Sequence, residues 1–125
     1  MSDWQELDME AKIRAILHDF QIDEPDHWGT VFVSSYQIAI ALDEETRLAL
    51  DKPIGGSGTG QHDSIAKYIA NQLSRRIKSG EITDIEGGWL ARENIKDIQF
   101  NDGQRDFSPT GGNKNVILSM FRLVP

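Results

Sequence analysis

The residues that could most readily do chemistry lie in a glycine-rich stretch, PIGGSGTGQHDS, at residues 53–64. Its glycines Gly56, Gly58 and Gly60 are followed by His62 and then by a helical pattern. Free backbone N–H groups and the positive end of a helix dipole can together hold an anion such as phosphate. The stretch therefore predicts a weak anion-binding site formed by these four residues.

The stretch departs from both of the common phosphate-binding patterns. In one pattern a Lys and a Ser or Thr follow the last glycine, because they contact the terminal phosphates and the magnesium ion. Here Gln61 and His62 follow Gly60. The dinucleotide pattern needs one more residue between its glycines and a strand–helix–strand unit around them. Asp63 also brings its own negative charge to the helix start. We therefore favour a flexible connector that caps the next helix, with anion binding as the alternative.

The other candidate catalytic sets are incomplete. Ser64 and Lys67 have the Ser-x-x-Lys spacing of an activated serine nucleophile, but the companion motifs of that chemistry are absent. The three histidines, His18, His27 and His62, are far apart, and the chain has no cysteine. Metal ligands with local spacing and thiol chemistry are thus not indicated. The sequence predicts a non-enzymatic protein with no catalytic residue, no metal and no cofactor.

Charge is distributed unevenly along the 125 residues, whose net charge is −7. Residues 1–51 hold twelve acids and three bases, a balance of −9, whereas residues 52–125 hold ten bases and eight acids, a balance of +2. An acidic surface repels nucleic acid and attracts basic proteins. Exposed tryptophans are enriched in binding hot spots. The predicted partner-binding residues are accordingly Asp23, Glu24, Asp26, Trp28, Asp43, Glu44 and Glu45. Trp89 is a further possible contact, although we expect it to close one end of the core.

Three stretches have the apolar spacing of amphipathic helices, at about residues 3–20, 35–50 and 64–79. Ser34 and Gln37 match a capping box at the start of the second helix. The third predicted helix has one apolar stripe that should be buried, formed by Ile65, Ile69, Leu73 and Ile77.

The remainder of the chain reads mostly as strand. We expect a short extended segment at 31–33, a turn at Gly87–Gly88, and a strand ending at Phe100. Residues 116–124 are almost continuously apolar, which is typical of a central strand buried on both faces. The predicted fold class is α+β, with three helices in the N-terminal two thirds packed on a small antiparallel C-terminal sheet. We expect residues 1–125 to form a single globular domain.

Two functions follow from these patterns. The favoured hypothesis is a small acidic binding protein that docks its N-terminal half on a basic protein partner. In this general character it resembles bacterial immunity and antitoxin proteins. The start of the chain lacks the features of a secretory signal and no apolar run is long enough to span a membrane, so we expect a cytoplasmic protein.

The alternative function is nucleic-acid binding. Three helices followed by a hairpin resemble a winged helix, with residues 64–79 as its recognition helix. The resemblance implies phosphate contacts from the bases of that helix, Lys67, Arg75, Arg76 and Lys78. The net negative charge and the position of most of these bases late in the helix favour the first hypothesis. The oligomeric state is left open.

Overall fold

The computed structural model describes residues 3–21, 30–55, 64–95, 98–109 and 116–124. The helices within these ranges are α1 (Asp3–Glu6), α2 (Met9–Asp19), α3 (Ser35–Ala41), α4 (Glu44–Leu50) and α5 (Ile65–Lys78). The strands are β1 (Val33–Ser34), β2 (Ile85–Ala91), β3 (Phe100–Asn101), β4 (Asp106–Phe107) and β5 (Val116–Leu123). The predicted α+β class, with helices packed on a small antiparallel sheet, is confirmed.

Two of the predicted helices are interrupted. The helix expected over 3–20 is α1 followed by α2, because Asp8 between them adopts a left-handed conformation (φ 54°, ψ 46°) that a short polar side chain tolerates. The helix expected over 35–50 is α3 followed by α4. Leu42 is extended, and the Asp43 side chain accepts a hydrogen bond from the Thr46 N–H to start α4. A local side-chain bond of this kind competes with continuation of a helix.

The third predicted helix, α5, is the longest in the described residues. Ile65, Ile69 and Leu73 are fully buried, as predicted, and Ile77 is half-buried against the same core. Ser64 caps the helix, because its hydroxyl accepts a hydrogen bond from the Lys67 N–H at 3.1 Å. The apolar stripe therefore fixes which side of α5 faces the core.

The main sheet has the order β1–β5–β2, with both pairs antiparallel. The prediction that 116–124 form a central strand is confirmed. The expected burial on both faces is wrong, because Arg122 on this strand is only half-buried. Val33 and Gly87 lie on either side of Phe121, which is buried at the centre of the sheet. A small second hairpin, β3–β4, joins the core through a parallel stack of Phe100 on Tyr36 with ring centroids 5.5 Å apart.

The predicted turn at Gly87–Gly88 is wrong, since both residues lie within β2. Glycine in a strand often marks a close approach, and a Cβ atom built on Gly87 would lie 3.0 Å from Cε1 of Phe121. Gly87 therefore makes room for the buried ring rather than reversing the chain.

Substitution of this glycine gives a direct test of the packing. Gly87→Ala should lower the free energy of unfolding by about 1–3 kcal/mol, because the buried Phe121 ring has little room to move. Gly88→Ala is the matched control, since its Cβ would meet the Phe32 ring at 3.9 Å, an ordinary contact. Chemical denaturation of the two variants measures the difference. Equal stability of the two variants would show that the ring does not restrict this position.

Candidate functional site

The exposed side of α5 carries a basic, polar surface. The helix contains four bases and no acid. Residues that follow one another at intervals of three or four share one side of a helix. The exposed set with this spacing, named here the α5 outer face, comprises Lys67, Asn71, Ser74, Arg75 and Lys78. This surface stands out in a chain with a net charge of −7.

Arg76 does not belong to this face. It lies nine residues after Lys67, which places it on the opposite side of the helix, about 180° away. Its guanidinium stacks 4.8 Å from the ring centre of Trp4 and donates hydrogen bonds to Gln72 and Glu81. The side chain is only 17% exposed. Arg76, one of the four predicted nucleic-acid contacts, therefore stabilises the fold instead of facing a ligand.

Trp4 anchors the inner side of α5 to the N-terminal helix. Its ring is 3% exposed and lies 6.3 Å from the ring of Tyr68, measured between centroids, at a tilt of 59°. The Lys52 ammonium lies 4.5 Å from the Tyr68 ring centre on this side of the molecule. Burial raises the pKa of the Tyr68 phenol. These contacts fix the rotation of α5 and leave its outer face exposed.

The backbone at the start of α5 is already bonded. The N–H of Ile65 donates to the Pro53 carbonyl at 2.8 Å, and the N–H of Ala66 donates to the Ile54 carbonyl at 3.1 Å. The Lys67 N–H donates to Ser64. An anion at this helix start would have to displace these acceptors, because these are the donors that are normally left free.

The glycine-rich loop lies outside the described residues. Gly56, Gly58, Gly60 and His62 are all in the interval 56–63. Anion binding by this loop therefore stays a prediction, as does its alternative interpretation as a connector. An anion held there would depend on groups of the loop itself, since the first N–H groups of α5 have partners.

The predicted acidic partner-binding residues are only partly placed. Asp23, Glu24, Asp26 and Trp28 lie in the interval 22–29, outside the described residues. In the second cluster, Asp43, Glu44 and Glu45 form the start of α4, and all three are exposed.

Asp43 has a structural task at this position. Its carboxylate accepts hydrogen bonds from the Thr46 N–H at 3.0 Å and from the Thr46 hydroxyl at 2.6 Å. These bonds lower the pKa of Asp43. Lys12 of α2 donates to the same hydroxyl at 2.7 Å. Asp43 therefore orients the Thr46 hydroxyl that links α4 to α2. This leaves Glu44 and Glu45 as the acids of the cluster best placed to contact a partner.

A second ionic link joins α2 to the segment before β2. Arg14 donates to both carboxylate oxygens of Asp84, at 2.7 Å from Nε and 3.0 Å from Nη2, and also to Glu10 at 3.0 Å. The hydrogen bond from Arg14 is the main reason that the pKa of Asp84 is lowered. Paired charge-assisted bonds of this kind fix geometry as well as adding energy.

The Asp84 pair makes stability depend on pH in acid. Because the pKa of Asp84 is lower in the folded state, its contribution is complete above the unfolded value of about 3.9 and is lost as the pH falls through the folded pKa. Asp84→Asn should thus be less stable than the wild type at pH 7, and the gap should close in strong acid. Urea denaturation at both pH values measures this gap.

The matched control for this pH effect is Asp19→Asn, which removes the same charge from an exposed position at the end of α2. It should not lower stability at pH 7, since an acid at a helix C-terminus is unfavourable. A gap for Asp84→Asn that persists unchanged below the folded pKa would contradict the ion-pair explanation.

Exposed aromatic residues lie on the main sheet. Trp89 in β2 is 68% exposed, so the expectation that it closes one end of the core is wrong. The strand continues to Ala91, and the register places Trp89 opposite Ser119. Phe32 is also exposed and stacks under the Arg122 guanidinium at 4.6 Å. Trp89 therefore remains a possible contact.

A cavity of about 480 Å³ lies between α4, the segment 52–54, the first residue of α5 and the turn that joins β3 to β4. Its lining combines apolar side chains with both signs of charge. No sequence pattern indicates this cavity, because its walls come from four separate segments. By contrast, Asn71 and Ser74 on the α5 outer face could have been found from their helical spacing after Lys67.

Some classes of site find no support in the described ranges. Across these ranges no set of three or more His, Cys, Asp or Glu side chains is arranged to hold a metal ion. None of the helices described is both long enough and apolar enough to cross a bilayer. Comparison of the chain with models of protein families, with curated proteins and with solved structures finds no match.

Proposed function

We propose that this chain is a non-enzymatic nucleic-acid-binding module that uses the α5 outer face. The observation that carries the proposal is the segregation of charge on one helix. Lys67, Arg75 and Lys78 are exposed together on a helix without acids, although the chain as a whole is acidic. Clustered bases along one helix face are the electrostatic footprint of nucleic-acid binding.

The arrangement of elements supports the same function. Helices α2, α3 and α5 precede the antiparallel pair β2–β5, and α3 packs against α5. This order resembles that of a winged helix, with α5 in the place of the recognition helix. The chain departs from a simple three-helix order, because α1 and α4 are additional.

The position of each side chain suggests its role. Residues in the first half of a recognition helix contact base edges. Lys67 and Asn71 occupy that half of α5, and Lys and Asn are suited to guanine and adenine edges respectively. Arg75 and Lys78 in the last turns would contact phosphates. Arg76 is left out of this set, because Trp4 and Glu81 hold it on the other side.

Binding to double-stranded DNA tests the proposal. A fluorescently labelled duplex of mixed sequence should bind the wild-type protein at low salt, as measured by anisotropy. The triple variant Lys67→Glu, Arg75→Glu, Lys78→Glu should lose this binding while its circular dichroism spectrum is unchanged. Failure of the wild-type protein to bind duplex DNA, or full binding by the folded triple variant, would overturn the proposal.

Docking on a basic protein is the second candidate function. Its support is the start of α4, where Glu44 and Glu45 are exposed side by side. Charge steering by such acids speeds association with a basic surface and weakens as salt rises. A basic protein captured from the native cell at low salt should associate more slowly with the double variant Glu44→Lys, Glu45→Lys. An association rate that changes neither in this variant nor with the salt concentration would exclude docking through α4.

A further inference from the structure

The cavity between α4 and the β3–β4 turn has the size of a small-molecule site. Its volume of about 480 Å³ lies within the range of roughly 300–1,000 Å³ that such sites occupy. The lining residues are all described, and they include Glu44, Arg47 and Leu48 of α4 together with Asp102 of the β3–β4 turn.

Arg47 supplies a positive group to the lining, and its side chain is half-buried. A carboxylate is the acceptor that a guanidinium binds best. Lys52, which also lines the cavity, adds a second positive charge above the Tyr68 ring. These two basic residues of the lining therefore suit an anionic group.

Two acids supply the opposite charge. Asp102 is fixed by its own turn, because one carboxylate oxygen accepts hydrogen bonds from the N–H groups of Gln104 at 2.9 Å and Arg105 at 2.8 Å. These bonds lower the pKa of Asp102, so it is ionised at neutral pH. Glu44 lies one turn before Arg47 on α4. The cavity thus holds positive and negative groups together.

The remaining lining is aliphatic. Ile54 and Ile65 are buried, whereas Leu48 is 70% exposed. An apolar side chain on a ligand would cover Leu48 and remove its apolar surface from water. A ligand that matches all three parts of the lining carries an anion, a cation and an aliphatic group.

We propose that this cavity binds a free α-amino acid with an aliphatic side chain. Its carboxylate pairs with Arg47, and its ammonium group lies between Glu44 and Asp102. Its side chain packs on Leu48, Ile54 and Ile65. This inference is independent of nucleic-acid binding by the α5 outer face, because the two surfaces share no residue.

Calorimetric titration with L-leucine tests the inference, using the full chain. We expect a dissociation constant of about 1 mM or lower, a reasonable affinity for so small a ligand. Leucine amide lacks the carboxylate, 4-methylpentanoate lacks the ammonium group, and glycine lacks the side chain. Each should bind at least about tenfold more weakly, since each leaves one part of the lining unmatched.

Variants of the lining complete the test. Arg47→Met and Glu44→Gln should each weaken L-leucine binding about tenfold or more, because each removes one charged contact. Glu45→Gln is the matched control, since Glu45 is exposed next to Glu44 but does not line the cavity. Three results would overturn the inference: no heat with L-leucine, equal affinity for 4-methylpentanoate, or equal losses in Glu44→Gln and Glu45→Gln. Glu44 is exposed, so Glu44→Gln gives an answer even if Arg47→Met does not fold.

Discussion

Replacing Lys67, Arg75 or Lys78 by alanine should weaken binding to duplex DNA, and the loss should depend on salt. Each phosphate contact releases counterions and adds about −0.9 to the slope of log K against log salt. Two such contacts, from Arg75 and Lys78, give a slope of about −1.8, so the wild-type affinity should fall roughly twelvefold between 50 and 200 mM salt. Arg75→Ala and Lys78→Ala should each lower the magnitude of this slope by about one, whereas Lys67→Ala should weaken binding mainly at the preferred sequence. Anisotropy titrations over a series of salt concentrations measure the slope for each variant.

The controls for this prediction separate local contacts from net charge. Ala15→Glu changes the net charge by the same single unit at an exposed position on α2, and it should leave the slope unchanged. Asn71→Ala should also leave the slope unchanged. It should weaken binding to the preferred DNA sequence by about 1–3 kcal/mol and so reduce the sequence preference. An Ala15→Glu variant that weakens binding as much as Arg75→Ala would show that only overall charge matters.

Replacing Trp4 by alanine should destabilise the protein more than any surface change. The ring is 3% exposed and packs between α1 and α5, where it contacts Tyr68 and the Arg76 guanidinium. Truncation of a buried tryptophan costs about 3–5 kcal/mol, and here it also removes the support of Arg76. The measurement is urea denaturation followed by circular dichroism.

Trp89→Ala is the matched control for the Trp4 substitution. The side chain of Trp89 is 68% exposed, so its removal should change the free energy of unfolding by only about 0.5 kcal/mol. Similar losses from the two substitutions would mean that Trp89 carries packing that its exposure does not indicate. A small loss from Trp4→Ala would show that α1 is dispensable for holding α5.

The sequence predicted those parts of the fold in which one periodicity dominates. The apolar stripe of α5 specifies one buried side of a helix, and the continuous apolar run of β5 predicts a central strand. The structure has both features. The breaks after Glu6 and Ala41 were not predicted, because each depends on the backbone conformation of one or two residues. Gly87 was taken for a turn residue because its close approach to Phe121 comes from a strand far along the chain.

The functional surfaces, too, could be predicted only in part from the sequence. Lys67, Arg75 and Lys78 could be grouped from the sequence, since they belong to one helix whose inner side was known. The removal of Arg76 from that group could not be foreseen, because Trp4 and Glu81 come from other segments. The cavity beside Arg47 is lined by α4 and by a turn more than fifty residues away in sequence. No local sequence pattern indicates that these two segments line the same cavity.

Titration of ¹⁵N-labelled protein with a short DNA duplex, followed by amide chemical shifts, tests the central claim most directly. The shifts should change along the α5 outer face, at Lys67, Asn71, Ser74, Arg75 and Lys78, and should stay constant at Glu44 and Glu45 on α4. Added salt should reverse the changes, because the contacts include phosphates. Shift changes that map to α4 instead, or no change at any duplex concentration, would contradict the assignment of α5 as the nucleic-acid-binding surface.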